Sequence, residues 1–234
     1  MVGKLSAGSY DLNKWLHGGY EKDVVTVFYG GPGTGKTTLC LLAAVSQARK
    51  GNKVVFVDTE GGFSVERVKQ VLAAWKDELA PEKVLEHIIL LKPTSFEEQE
   101  DAFKQLGKYL KQGVSLVVVD GMAILYRLAF AAAREKNEGA ERRVTALLAG
   151  QMRQLAAIAR KQEIPVLVTN QVYKWEEAMK MVGGDVLPYW GKCLIELNHD
   201  RGRRVLGLRK HRSLPVKEMS FQIYEGGVRK RGFL

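Results

Sequence analysis

The sequence predicts an α/β fold: a mostly parallel, twisted sheet flanked by helices, with a β-rich antiparallel C-terminal end. Three observations carry it. Short, nearly continuous apolar runs rich in β-branched residues recur through the first two thirds of the chain, as strands buried on both faces require. Longer segments of helical period lie between them, the alternation that builds a parallel sheet. After residue 190 the rhythm changes to short strand-like runs joined by tight turns.

The strands are expected at residues 24–29, 53–57, 88–91, 115–119 and 166–169. A helix follows the glycine-rich stretch after the first strand, from Thr38 to about Lys50, and Gly51 stands where a helix stop belongs. Ser64 is placed to cap a helix running to about Glu78. Ser95 and Glu98 form a capping-box pattern opening a helix with Phe103, Leu106 and Leu110 on one face. Val144, Leu148, Leu155 and Ile158 put an apolar stripe on another that ends before Pro165. The C-terminal strands fall at 193–197, 204–208 and 219–224, with Asp200-Arg201-Gly202 as a turn. No internal repeat or linker interrupts this order, so one domain over residues 1–234 is expected.

Composition narrows the classes. The chain has 234 residues, 46% hydrophobic and 26% charged, which is ordinary for a globular protein. The longest apolar stretch, 116–133, is broken by Asp120 and Arg127 and is no membrane span. The N-terminus lacks the apolar core of a signal peptide. Cys40 and Cys193 are far apart in apolar runs and read as reduced core residues, so a cytoplasmic protein is expected. The net charge is +10; residues 201–234 hold ten lysines and arginines against Glu218 and Glu225, so +8 of it lies there. That reads as a local basic surface for a polyanion, with a solvated hairpin as the plainer alternative.

The chemistry begins with Gly30-Gly31-Pro32-Gly33-Thr34-Gly35-Lys36-Thr37, which fits G-x-x-x-x-G-K-[ST] between a strand and a helix that takes in Thr38. Glycines let backbone N–H groups turn around phosphate oxygens. Lys36 is suited to the β- and γ-phosphates and the Thr37 hydroxyl to Mg²⁺. The helix start points its dipole at the anion. ATP with Mg²⁺ is the expected ligand. Asp120 ends an apolar strand, as a second metal-binding acid would. Gly121 follows it where many related loops have a glutamate, so the base that activates water is sought elsewhere, and Glu60, after the strand at 53–57, is the candidate.

With these residues quoted, the chain resembles the RecA/RadA recombinase superfamily, most closely its short archaeal paralogues, over almost its full length. Residues 8–13 and 16–19 resemble the entry segment ahead of the loop; residues 58–67 resemble D-T-E-G-x-F-x-x-E-R; residues 169–172 resemble T-N-Q-V; Lys210-His211-Arg212 resembles a K-H-R of the archaeal branch. The resemblance implies a RecA-type ATPase core, with Lys36, Glu60 and Gln171 catalytic, Gln171 sensing the γ-phosphate, and Arg67 against the adenine. For Lys210 and Arg212 two roles stay open, DNA contact or the γ-phosphate of a neighbouring subunit, and the same two stay open for Arg201, Arg203 and Arg204. Tyr173, Lys174 and Trp175 fall in the second DNA-loop region, and residues 126–143 fall where the first belongs or form an ordinary helix. The N-terminal helical DNA-binding domain and Phe-x-x-Ala polymerisation segment of RadA-type recombinases have no counterpart in the sequence. The resemblance therefore implies an ATP- and DNA-binding recombination protein, accessory to a RadA-type recombinase and favouring single-stranded DNA, with weak ATPase and a homo-oligomer open. The alternative is a RecA-fold signalling ATPase controlling protein partners without DNA.

Overall fold

The computed structural model describes residues 3–136, 139–175 and 178–232, without the side chains of 174, 175 and 178. In chain order the elements are β1 (Lys4–Leu5), α1 (Tyr10–Trp15), β2 (Tyr20–Glu21), β3 (Val25–Gly30), α2 (Lys36–Ala48), β4 (Lys53–Asp58), α3 (Val65–Ala74), α4 (Pro81–Leu85), β5 (Ile88–Leu91) and α5 (Phe96–Leu110). Then come β6 (Val114–Asp120), α6 (Ile124–Lys136), α7 (Ala140–Gln162), β7 (Val166–Trp175), β8 (Ala178–Met181), α8 (Val186–Trp190), β9 (Cys193–Asp200), β10 (Arg203–Lys210), β11 (Lys217–Tyr224) and β12 (Gly227–Lys230). Beside a two-stranded β1–β2 ribbon, the main sheet runs β12-β11-β10-β9-β3-β7-β6-β4-β5, with β8 paired to β7.

The sheet is parallel from β9 through β5 and antiparallel from β9 to β12. Its inner strands are buried on both faces because their runs are apolar throughout; Val54, Phe56, Val117, Val118 and Val168 are fully enclosed. One face is covered by α2 and α3, with Met219 and Phe221 of β11 and Val228 of β12 in the same core, the other by α5, α6, α7 and α8. α2 is apolar nearly all round, with Leu39, Cys40, Leu42 and Val45 all inaccessible, the pattern of a helix enclosed on every side. The β11–β12 turn closes over it: Val228 is buried, and its carbonyl accepts from the Ser9 hydroxyl at 2.8 Å. Cys40 and Cys193 are both buried free thiols.

The expected caps form, with one shift. Ser64 Oγ accepts from Arg67 N–H and Ser95 Oγ from Glu98 N–H. The Glu98 carboxylate, however, reaches the N–H and hydroxyl of Thr94, one residue ahead of the cap. β7 is longer than the apolar run at 166–169, because its pairing with β8 carries it on to Trp175. Residues 126–143 lie within α6 and α7, apart from the undescribed pair 137–138 and Gly139. No helix among the described residues is long and apolar enough to cross a membrane.

The basic C-terminal segment is not one local surface. β10 carries Arg203 and Arg204 at its start and Lys210 at its end, six residues from Arg204, a span of about 20 Å along an extended strand. The charge is therefore delivered to opposite edges of the sheet.

Candidate functional site

β3 ends at Gly30 and α2 begins at Lys36, so residues 31–35 form a turn against the carboxyl edge of the sheet. Gly35 caps α2 at φ 110°, a left-handed conformation that disfavours any side chain. No side chain caps this helix and its first turn has no acid, which leaves the N–H groups and the positive dipole end directed at the loop. Lys36 is buried, and its Nζ donates to the carbonyls of Gly30 (3.0 Å) and Gly31 (2.8 Å). Burial lowers its pKa, while the nearby Glu60 and Asp120 pull it back up. The Thr34 hydroxyl donates to Gly31 O at 2.9 Å.

Parallel register brings the acids alongside. Asp58 and Asp120 end neighbouring strands and are register partners, and Gly30 is paired with Gln171 of β7. Asp58 is spent on structure: its carboxylate accepts the N–H groups of Gly62 and Phe63, both at 3.0 Å, and holds the turn after β4. Asp120 is inaccessible, and burial pushes its pKa from 3.8 up to about 6, with the Thr169 and Thr37 hydroxyls restraining the rise. Its Oδ1 accepts from the Thr169 hydroxyl at 2.7 Å; its Oδ2 is buried with no hydrogen-bond partner. A Cβ on Gly62 would sit 3.4 Å from both Asp120 Oδ2 and the Thr37 hydroxyl, so Gly62 keeps open the space these two oxygens share.

Glu60 is exposed just beyond this pair, and its Oε1 accepts from Gln171 Nε2 at 3.2 Å. Gly121 makes that position accessible. At φ 94°, a Cβ there would run into the Thr59 hydroxyl and stand 2.6 Å from Glu60 Cγ. The Thr59 hydroxyl reaches the carbonyls of Asp120 (2.9 Å) and Gly121 (2.7 Å), so the β4 and β6 ends are stitched together through this residue. Thr59 and Thr169 were not singled out from the sequence. Their roles depend on strands 61 and 49 residues away along the chain, and their places in the D-T-E-G and T-N-Q-V stretches were the visible signal.

Against this geometry, the Rad51 family model matches residues 1–231. The chain belongs to the Rad51 family. It is 38% identical over 232 residues to the DNA repair and recombination protein RadB of Methanoculleus marisnigri, covering 97% of each chain. It is 37% identical over 228 residues to the RadB of Methanobrevibacter smithii, covering 93% of this chain and 92% of that one. To the RadB of Methanocaldococcus jannaschii it is 33% identical over 217 residues, covering 93% and 98%. Rad51/RecA-family proteins are nucleotide-binding ATPases that generally use Mg²⁺. The residues fit such a group: a desolvated carboxylate with an unpartnered oxygen beside a hydroxyl is a donor pair for a hard cation.

In this Rad51-family chain the remaining candidates are distributed unevenly. Arg67, half-buried at the start of α3, donates Nη2 to Tyr224 O at 2.6 Å and Nη1 to Gln70, so the end of β11 holds its guanidinium. The same strand comes close to the loop, since a Cβ on Gly35 would lie 3.0 Å from Ile223 Cδ1. Arg204 also reaches the loop of its own chain, with Nη2 3.5 Å from Gly33 O and its Nε buried without a partner. Arg201 and Arg203 stand at the β9–β10 turn on the same edge. Lys210 and Arg212 are at the opposite edge. Lys210 Nζ donates to the carbonyls of Pro188 (3.0 Å) and Gly191 (2.9 Å), and Arg212 forms ion pairs with Glu21 and Asp23, both at 2.7 Å. Tyr173 is partly exposed on the β7–β8 hairpin, opposite Lys180; the side chains of Lys174 and Trp175 lie outside what is described.

Proposed function

We propose that this chain is an ATP- and DNA-binding protein of recombinational repair, accessory to a RadA-type recombinase, with slow ATP hydrolysis and little strand exchange of its own. Relatives named DNA repair and recombination protein RadB, matched over more than nine tenths of the chain, support the biological setting. The observation that carries the mechanism is the Glu60–Gln171 contact. Residues 30–37 bind the triphosphate through backbone N–H groups, Lys36 and the α2 dipole. Thr37 and Asp120 would hold Mg²⁺, which neutralises charge on the phosphate oxygens. Glu60 takes a proton from the attacking water as its oxygen bonds the γ-phosphorus; the bond from that phosphorus to the ADP oxygen breaks, and phosphate leaves.

Gln171 gives this chemistry an output. Its side chain faces Glu60, while its carbonyl accepts Val182 N–H and the neighbouring Asn170 Nδ2 donates to Val182 O at 2.8 Å. Residues 170 and 171 thus join the γ-phosphate end of the site to the base of the β7–β8 hairpin, a DNA-contact candidate. Nucleotide state then switches the hairpin more than it drives mechanical work.

The test is ATP turnover with and without single-stranded DNA in the wild type and in Glu60→Gln. Turnover is expected to fall by at least the ~10²-fold typical of a lost general base, with ATP affinity retained. Equal turnover in the two proteins would remove Glu60 from the mechanism.

A further inference from the structure

The glycine-rich loop has a cation beside it that the proposed chemistry does not use. Residues 31–35 leave the end of β3, and the sheet order puts β7 on one side of that strand and β9, then β10, on the other. On the β7 side Gln171 is the register partner of Gly30 and touches Glu60, so the end of the site where hydrolysis is proposed lies there. Arg204 comes from the opposite side. It follows Arg203 at the start of β10, paired with His199 of β9 and Phe221 of β11. Residues directly opposite in an antiparallel ladder share a face, and Phe221 lies in the core that α2 covers. Its ring also approaches the loop, since a Cβ on Gly35 would be 3.7 Å from it. Arg204 therefore leaves the sheet on the face where the loop and α2 sit.

Among the described residues little satisfies its guanidinium. Nη2 is 3.5 Å from Gly33 O, long for a hydrogen bond, and Nε is enclosed with no acceptor. No carboxylate among those residues pairs with it, whereas Arg209 and Arg212, from the same segment of chain, each hold two. A guanidinium withdrawn from water without an anion is unfavourable, so an arginine left in this state calls for a partner from outside the chain. The feature it touches is built to receive one. α2 opens at the loop with no acid in its first turn and no side-chain cap.

The side of approach selects the phosphate. Backbone N–H groups of such a loop enclose the α- and β-phosphates, and its lysine reaches the β- and γ-phosphates. Gly33 is in the middle of the loop, and Glu60 with Gln171 marks the γ end across β3. A cation arriving from β10 meets the β-phosphate, and the planar fork of arginine suits two of its oxygens.

We infer that Arg204 is a nucleotide-binding residue supplied by the same chain, its guanidinium pairing with the β-phosphate of bound ADP or ATP. The inference rests on the nucleotide-binding part of the proposed function and takes Arg204 away from DNA and from a neighbouring subunit's γ-phosphate. Binding of fluorescent ADP and ATP analogues to the full chain with Mg²⁺, measured across a salt series, tests it. Arg204→Gln should weaken both nucleotides alike, by ~10- to ~150-fold, the range for one hydrogen bond to a charged group. Its ADP affinity should also respond less to salt. Arg204→Lys, a point charge without the fork, should keep the wild-type salt response and regain part of the affinity. The nucleotide-free melting midpoint of Arg204→Gln should equal or exceed that of the wild type, because the variant loses a cation that the chain leaves unpaired. A loss confined to ATP would move Arg204 to the γ-phosphate and overturn the inference. So would a loss seen only at protein concentrations where the chain self-associates, which would place the contact in a neighbouring subunit. Equal losses with an unchanged salt response would make Arg204 a prop for the loop, again overturning it. Unchanged ADP affinity, whatever the midpoint, would overturn it and leave nucleotide binding standing. No wild-type binding of either nucleotide would overturn both.

Discussion

Gly121→Ala tests whether the residue after Asp120, the proposed metal ligand, is there to admit Glu60. The backbone holds φ 94°, so any L side chain is strained before it meets a neighbour; that strain costs about 1–3 kcal/mol. The new methyl would also collide with the Thr59 hydroxyl and lie 2.6 Å from Glu60 Cγ. Thr59 can retreat only by withdrawing the one hydroxyl proton it shares between Asp120 O and Gly121 O, a loss of about 1 kcal/mol. A stability loss of about 3 kcal/mol follows, which for a chain of this size lowers the melting midpoint by roughly 6–12 °C. The alternative escape moves Glu60, and a 1 Å displacement of a positioned catalytic group costs ~10²-fold in rate. Residues 30–37 are untouched, so the affinity for a fluorescent ATP analogue should hold. The assay pairs a thermal melt with kcat and nucleotide Kd. A variant with wild-type melting and wild-type kcat would refute the reasoning, because both routes of relief carry a cost. Loss of nucleotide affinity in step with kcat would refute the claim that the effect is confined to Glu60.

Two further outcomes follow from buried ionisable groups. Asp120→Asn should stabilise the nucleotide-free protein at pH 7.5: the folded pKa of about 6 lies above the ordinary 3.8, so the acid's contribution is favourable below 3.8, is lost as pH rises through 6, and leaves a charged carboxylate that costs up to ~3 kcal/mol. The same variant should lose the extra melting shift that Mg²⁺ adds to ATP, and an unchanged Mg²⁺ shift would remove Asp120 from the metal site. His211 works with the opposite sign. Burial, then Lys4, Arg212 and Lys217, hold its pKa below 6.5 against the pull of Glu21, and its Nδ1 accepts the N–H groups of Ser213 and Leu214, both at 3.1 Å. The unfolded chain therefore takes up a proton that the folded ring resists, so stability is lost as pH falls from about 6.5 through the lower folded pKa. Urea melts between pH 7 and 5 should show a shallower pH dependence in His211→Asn, whose Oδ1 can replace Nδ1 as acceptor; equal dependence would place the titration elsewhere.

What could be read in advance was whatever depends on local spacing. The glycine-rich loop between β3 and α2, the strand ending in Asp120 and the Ser64 and Ser95 caps are each written in a short run of consecutive residues, and the antiparallel C-terminal rhythm in successive short runs joined by turns. Gly121 was legible as the absence of a glutamate, but not as the space Glu60 occupies, because that space is set by β4 lying beside β6. Thr169 on Asp120 and Arg204 on Gly33 were hidden for the same reason: both contacts join segments brought together only by the strand order. The length of β7 was missed because its second half is ordered by pairing with β8 and not by apolar content.

The same distinction decides what the basic C-terminal segment can do. Summed along the sequence it looks like one surface, but an extended strand cannot keep its two ends together. β10 puts Arg204 against Gly33 of the glycine-rich loop, and Lys210 at an edge whose contacts are the carbonyls of Pro188 and Gly191. Arg212 next to it is committed to Glu21 and Asp23. None of those partners belongs to the nucleotide site. Nucleic-acid affinity arising at the Lys210 edge should therefore be insensitive to bound nucleotide, while affinity arising at the β7–β8 hairpin should follow it through Gln171. Measuring the salt slope with and without ATP separates the two: a switch confined to the hairpin changes part of the slope and leaves the contribution of the Lys210 edge in place, whereas a slope abolished or unchanged as a whole would mean that the two edges do not act independently.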